Sequence, residues 1–359
     1  MRSRLLISLL LAAILSGCVF SGHHPSSSSR NDFLGLTNFS TFTTSPGTVP
    51  DELVLTSPEI TAHNSWDELV VSWNVPVGVS LVMEARGIYP GHATKFYTLG
   101  KWSDDPAQHP RESVARQEDP DGTVLTDTLR LVRSGAKVQL RITLESPAVD
   151  RTLLKFIGLS FCHTRVPAPP DKPNRAAWGC SLPVPERIQS GYDGPGGWCS
   201  PASLSMVLAY WSSVLHRPEL GKTVPEVAAA VNDPIYDGTG NWPFNTAFAG
   251  EFPGLRAYVT RLDDLSEVEG CIAAGVPLVL SVSSYLTNDR HEGPDNGHLI
   301  VCIGFTQTGD VIANDPGVSL KNGQQIRRIY PRARVLSAWK KSQNTVYVIY
   351  PDSFKIPDL

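Results

Sequence analysis

In this 359-residue chain, Cys199 sits where a thiol would be most reactive. It follows the glycine-rich approach Gly191-Tyr192-Asp193-Gly194-Pro195-Gly196-Gly197-Trp198, and a helical pattern begins directly after it. Leu204, Val207, Leu208, Trp211 and Leu215 fall at i, i+3, i+4, i+7 and i+11, one buried stripe of a helix. Ser200 is expected to cap that helix and Pro201 to suit its first turn. The unpaired N–H groups and dipole at a helix N-terminus favour negative charge, which moves a thiol toward the nucleophilic thiolate. The glycines let a substrate approach the backbone closely. The competing role for Cys199 is half of a disulfide.

A base for such a thiol is available in Asn296-Gly297-His298, at the mouth of the apolar run Leu299 to Phe305. An imidazole buried there without a partner would be costly. Asp315, in Ala313-Asn314-Asp315-Pro316, ends the next expected strand; if the two strands form a hairpin, His298 and Asp315 lie side by side. A carboxylate there would fix the imidazole tautomer and support its charged form. Taken singly, His298 reads as a strand-end histidine and Asp315 as a turn residue. No metal site is expected: His298 and Cys302 lie four residues apart on one strand, about 13 Å, too far to share an ion. A serine hydrolase is excluded by the lack of a Gly-x-Ser-x-Gly elbow. His291, Asp295 and Asn296, in a polar loop close before the presumed base, are candidates to touch substrate against the commoner role of a solvated loop, and no cofactor is expected.

The elements that must position these residues divide the chain in two. From residue 51 to 165 the pattern is β. Val138 to Glu145 alternates apolar and polar residues, and similar runs occur at Glu68 to Val75, Ser80 to Ile88, Val124 to Val132 and Leu153 to Phe161. Pro76, Gly78, Pro90-Gly91, Pro120-Asp121-Gly122 and Ser134-Gly135 read as turns, which favours an antiparallel β-sandwich. Trp66, Trp73 and Trp102 are candidates for stacking on sugar, against the commoner role of core packing. Pro167, Pro169, Pro170 and Pro173 mark a Pro-rich linker over 166–179, and Cys162 and Cys180 flank it closely enough for a disulfide to be considered. Residues 180–359 then place helices at Val224 to Asn232, opened by a Thr223–Glu226 capping box, and at Leu265 to Ala274. Strands follow at Leu278 to Val282, His298 to Phe305, Asp310 to Ala313 and Val346 to Tyr350, an α+β order.

The start of the chain reads as an address. Arg2 and Arg4 precede the apolar stretch Leu5 to Leu15, too short to span a bilayer, so residues 1–17 are expected to be an export signal. Leu15-Ser16-Gly17-Cys18 resembles the bacterial lipobox, which implies lipidation of Cys18 and attachment to the membrane surface on the periplasmic or extracellular side of a bacterial envelope. Residues 18–50, with Ser26-Ser27-Ser28-Ser29 and many Thr, Pro and Gly, are expected to form a disordered tether. A formal charge of −4, with no basic run interleaved with aromatics, argues against nucleic acid as a partner.

The order Gln189, Cys199 opening a helix, His298 on a strand and Asp315 on the next resembles the papain-like cysteine peptidases. Trp198-Cys199-Ser200-Pro201-Ala202-Ser203, Asn296-Gly297-His298 and Asn314-Asp315-Pro316 are more specifically similar to the bacteriocin-processing (double-glycine) peptidase-like family, over about residues 180–350. The resemblance implies a papain-like fold for the second domain, with Cys199 as nucleophile, His298 as general base and acid, and Asp315 as its orienter. Gln189 and the Cys199 backbone N–H would form the oxyanion hole. The implied activity is hydrolysis of peptide bonds through a thioester, with a peptide or protein substrate and cell-wall peptide favoured by location. A transglutaminase-like acyltransferase with the same residues and an inactive surface-binding protein are the alternatives.

Overall fold

A computed structural model describes residues 19–22, 30–194, 196–287 and 295–357. The expected export signal, the lipidation site Cys18, the serine run Ser26–Ser29 and His291 lie outside the described residues.

The N-terminal half is antiparallel β throughout. Its strands run in the order Val19–Gly22, Asn31–Leu36, Phe156–Cys162, Ile60–Asn74, Thr128–Glu145, Glu52–Thr56 and Thr43–Pro46. The strand Thr128–Glu145 is shared between layers. Its first half pairs with Ile60–Asn74 on one side and Gly122–Leu125 on the other, its second half with Glu52–Thr56 and Ser80–Tyr89. Register shifts between Arg130 and Gly135 and between Gly135 and Lys137 bend it. A bulge of this kind adds residues without ending the strand. Hydrogen bonding is therefore continuous across one 11-stranded antiparallel sheet. Ser134-Gly135 lies in that irregular stretch and is not a turn. The break falls earlier, at Thr126, whose φ of 57° turns the chain between two strands.

The tether expected over residues 18–50 is corrected by the structure from residue 30 onward. Asn31–Leu36 is an interior strand, paired with Val19–Gly22 and Phe156–Cys162. Phe33, Leu34, Phe39 and Phe42 are buried. Four large apolar side chains in ten residues supply the burial that the surrounding Thr, Ser and Gly do not, enough to order the segment. Trp66, Trp73 and Trp102 are core residues, each no more than 1% exposed, so none is free to stack on sugar.

The C-terminal half has a six-stranded antiparallel sheet in the order Leu255–Arg261, Thr345–Pro351, Leu278–Val282, His298–Phe305, Val311–Asn314 and Arg327–Tyr330. The helix Cys199–Leu215 packs on it, with the Trp211 indole N–H donating to the Ile349 carbonyl at 2.8 Å. The Thr223–Glu226 capping box forms as expected, and Asp264 and Glu267 form a second one at the start of Leu265–Ala273. The helices Trp242–Gly250 and Arg332–Trp339 have no counterpart in the sequence reading.

The two halves share one continuous hydrophobic core. Phe33 stacks on Tyr258 with ring centroids 4.5 Å apart. Asn74 donates to the Ala257 carbonyl at 2.8 Å, and Ser72 accepts the Val259 N–H at 2.9 Å. Asp127 accepts the N–H of Trp242 at 2.8 Å, so a carboxylate of the first half caps a helix of the second. Arg111 reaches the Ala229 and Asn232 carbonyls at the end of Val224–Val231. The connecting stretch is also bound down. Asp171 and Glu269 both pair with Arg332, and Gly179 and Leu182 hydrogen-bond to Phe305 and Ile303. Cys162, Cys180, Cys199, Cys271 and Cys302 are all thiols, so the disulfide considered between Cys162 and Cys180 does not form.

Candidate active site

Cys199 is the first residue of its helix, with Trp198 at the N-cap. Ser200 does not cap it: no side-chain bond closes this end, and the Ser200 hydroxyl instead pairs with the buried Tyr347 hydroxyl at 2.9 Å. Ser203 donates to the Leu299 carbonyl at 3.1 Å, tying the helix to the strand that opens with His298. Together these bonds fix the helix on the sheet so that its first turn faces the strand end. The glycine approach serves the same placement. Gly194 has φ 150° and a Cβ there would lie 2.5 Å from the Trp198 ring, while Gly196 and Gly197 adopt φ of 85° and 70°.

Cys199 is partly exposed and hydrogen-bonded to His298. His298 is buried, and its Nε2 lies 2.7 Å from Asp315 Oδ1, which leaves Nδ1 for the sulfur. The strands His298–Phe305 and Val311–Asn314 are antiparallel neighbours, and this pairing brings the two residues together across 17 positions of sequence. Asp315 is fully buried and accepts three further bonds, from the Gly317 N–H at 2.8 Å, the Thr287 hydroxyl at 2.9 Å and the Tyr330 hydroxyl. A Cβ at Gly317 would come within 2.7 Å of the His298 ring, so this glycine is required by close approach.

The electrostatics follow from these contacts. Burial alone would push the Cys199 thiol up, but the bond and charge of His298 and the backbone N–H groups of Leu299 and Ser200 hold it below its ordinary value. Burial would lower His298, and Asp315 and Cys199 together raise it to about 10. Asp315 is held at about 2 against burial, by His298, Tyr330 and Gly317. These contacts shift Cys199 toward thiolate and His298 toward imidazolium, with the Asp315 carboxylate behind it.

Gln189 lines the same cleft as Cys199 and His298, and its N–H donates to the Pro316 carbonyl at 3.0 Å, next to Asp315. Its buried Oε1 has no hydrogen-bond partner among the described residues. Asn296 also lines the cleft, while Asp295 braces its loop through Ser284 and Gly297. Thr287 and Tyr330 were not singled out from the sequence, because neither belongs to a local motif. The cleft has a volume of about 760 Å³ and its far wall comes from the N-terminal half, through Glu68, Leu125, Asp127 and Arg130.

A thiol activated at a helix start by an imidazole and a buried carboxylate defines the cysteine-hydrolase class of site. Comparison with known proteins makes this more specific. Residues 181–347 match the Peptidase_C39 like family and residues 51–158 match the Peptidase C39 N-terminal domain. The second half of the chain is thus similar to the C39-like peptidases over nearly all of its length. A solved structure from Bacillus anthracis, assigned as a C39-like peptidase, is similar at 17% identity and a TM-score of 0.36, covering 48% of this chain and 96% of that one. No curated protein matches the chain.

Proposed function

We propose that this protein is an exported cysteine peptidase that hydrolyses peptide bonds and is held at the cell envelope by lipid on Cys18. The observation that carries the peptidase reading is the partly exposed Cys199 at the first position of a helix, hydrogen-bonded to an imidazole whose other nitrogen is held by a buried carboxylate. The match of residues 181–347 to the C39-like family supports the same reading.

In this mechanism the Cys199 thiolate attacks the scissile carbonyl carbon, and its electron pair moves onto the carbonyl oxygen. The Cys199 N–H, in the first turn where the helix itself offers no acceptor, and the Gln189 carboxamide donate to that oxyanion. His298 gives its Nδ1 proton to the leaving amine as the C–N bond breaks, which leaves a thioester on Cys199. Neutral His298 then takes a proton from water; the resulting hydroxide adds to the thioester, releasing the acid and the thiolate. Asp315 keeps Nε2 protonated throughout and stabilises the imidazolium. Exposed Leu125 and Tyr236, which line the cleft, offer apolar contact to an extended peptide.

The test is turnover of a peptide library by the soluble form lacking residues 1–18. Wild type should cleave a subset of peptides, and Cys199→Ala should cleave none; equal turnover by the variant would end the reading. Added amine in place of water as the acceptor would reveal acyl transfer instead. Cys18→Ala should move the full-length protein from the membrane fraction to the soluble one, and retention in the membrane fraction would refute the anchor.

A further inference from the structure

Glu68, Arg130 and Arg261 form a row in the wall of the cleft. Arg130 Nε contacts Glu68 Oε1 at 2.7 Å, and Arg261 Nη2 contacts Glu68 Oε2 at 2.8 Å. One carboxylate thus serves two guanidinium groups, and the row keeps a surplus positive charge. Glu68 and Arg261 are 4% and 5% exposed, whereas the Arg130 side chain is half exposed. Arg261 Nε and Nη1 are buried with no hydrogen-bond partner among the described residues. Behind them Arg30, also buried, uses one nitrogen on the Cys162 sulfur and on Gln343, and its Nε has no partner there either.

The cleft also holds the carboxylates of Asp127 and Asp237 and the ammonium group of Lys341. Asp127 accepts from the Trp242 N–H and the Thr128 hydroxyl and interacts with Arg261 through charge alone, and Asp67 is taken by Thr164 and Arg165. Buried arginine donors without an acceptor are destabilising, and a purely structural ion-pair network would match donors to acceptors. The donors left over are Arg261 Nε and Nη1 and Arg30 Nε, close behind the exposed Arg130. The Arg130 contact to Glu68 is made by Nε and the side chain is half exposed; a guanidinium also has an edge of two terminal N–H groups, a fork that fits a carboxylate.

We propose that this row is a carboxylate-recognition site, in which Arg130 receives an acidic group of the peptide substrate while Glu68 and Arg261 hold its guanidinium in place. The carboxylate is a Glu or Asp side chain or the peptide's C-terminus. The proposal rests on the cysteine-peptidase reading, because Arg130 and Cys199 line one cleft. It gives the N-terminal half a direct part in substrate choice.

The test reads occupancy of the cleft without requiring turnover. Three pools of N-acetylated hexapeptides are used to protect Cys199 from iodoacetamide: an amidated pool carrying Glu, an otherwise identical amidated pool carrying Gln, and the Gln pool with a free C-terminal carboxylate. Alkylation is followed by peptide mapping, because Cys180 is exposed as well. At least one carboxylate pool should protect at about a tenfold lower concentration than the neutral pool, and the identity of that pool separates side-chain from terminal recognition. Arg130→Gln, which leaves Glu68 its pairing with Arg261, should remove the difference, and Arg130→Lys should keep only part of it. Equal protection by all pools, protection by none, or a difference that survives in Arg130→Gln would overturn the proposal. Failure of Cys199 to alkylate faster than Cys180 would instead count against the peptidase reading itself.

Discussion

The wall of the cleft that carries Cys199 and the wall that carries Arg130 are built by different means. On the first, each chemical group stands at the end of a regular element: Cys199 opens a helix, His298 opens a strand and Asp315 follows the next strand. Short local sequence therefore fixes their placement; one strand pairing brings His298 to Asp315, and the docked helix brings Cys199 to His298. On the second wall, Asp127 and Arg130 lie beside a turn at Thr126 and a register shift, on a strand shared between layers of a bent sheet. Their partners Trp242 and Glu68 come from two distant segments, and Glu68 in turn pairs with Arg261 from a third. A reactive centre can be encoded by element ends, whereas a binding wall made by packing two halves together has no local signature.

Mutations can break this contrast at several levels. The largest effect is expected at the reactive wall, where Cys199→Ala should reduce peptide turnover by at least about a thousandfold. Asp315→Asn keeps the shape but reverses the hydrogen-bond preference toward His298, and turnover should fall by about a hundredfold to ten-thousandfold. A loss within threefold would mean that the carboxylate is only structural.

The packed wall should respond in stability. Asp127→Ala removes the cap that one half places on a helix of the other, at a cost of about 1 to 2 kcal/mol in denaturant unfolding. Burial raises Asp127 to about 6 in the folded protein, so its ionisation disfavours folding. The stability of wild type relative to Asp127→Asn should accordingly decline as pH rises from about 4, where the unfolded carboxyl titrates, to about 6, and level off above that. The smallest change is expected for Tyr330→Phe, which deletes one of four donors to Asp315. Turnover should drop by about tenfold or less, with the acid limb of its pH profile moved upward.

The same distinction explains how much could be read in advance. The Leu204 to Leu215 stripe, the Thr223–Glu226 box and the His298 to Phe305 run each carry their periodicity or capping chemistry within a dozen residues, and each forms. The failures lie where tertiary packing overrides local composition. Asn31–Leu36 sits among Ser, Thr and Gly yet is ordered by strands on both sides. Ser200 looks like a cap, but Tyr347 takes its hydroxyl once the helix docks on the sheet. Thr287 and Tyr330 reach Asp315 from a short helical turn and a separate strand, a convergence that no spacing along the chain reveals.

The central claim is that Cys199 is held as a thiolate by His298, and the pH dependence of its alkylation tests this most directly. The rate of iodoacetamide reaction at Cys199, followed by peptide mapping, should stay high well below pH 9 and fall only as pH drops through the depressed thiol pKa. In His298→Ala the midpoint should move up toward the ordinary cysteine range. A wild-type midpoint at or above that range, unmoved by His298→Ala, would contradict the account.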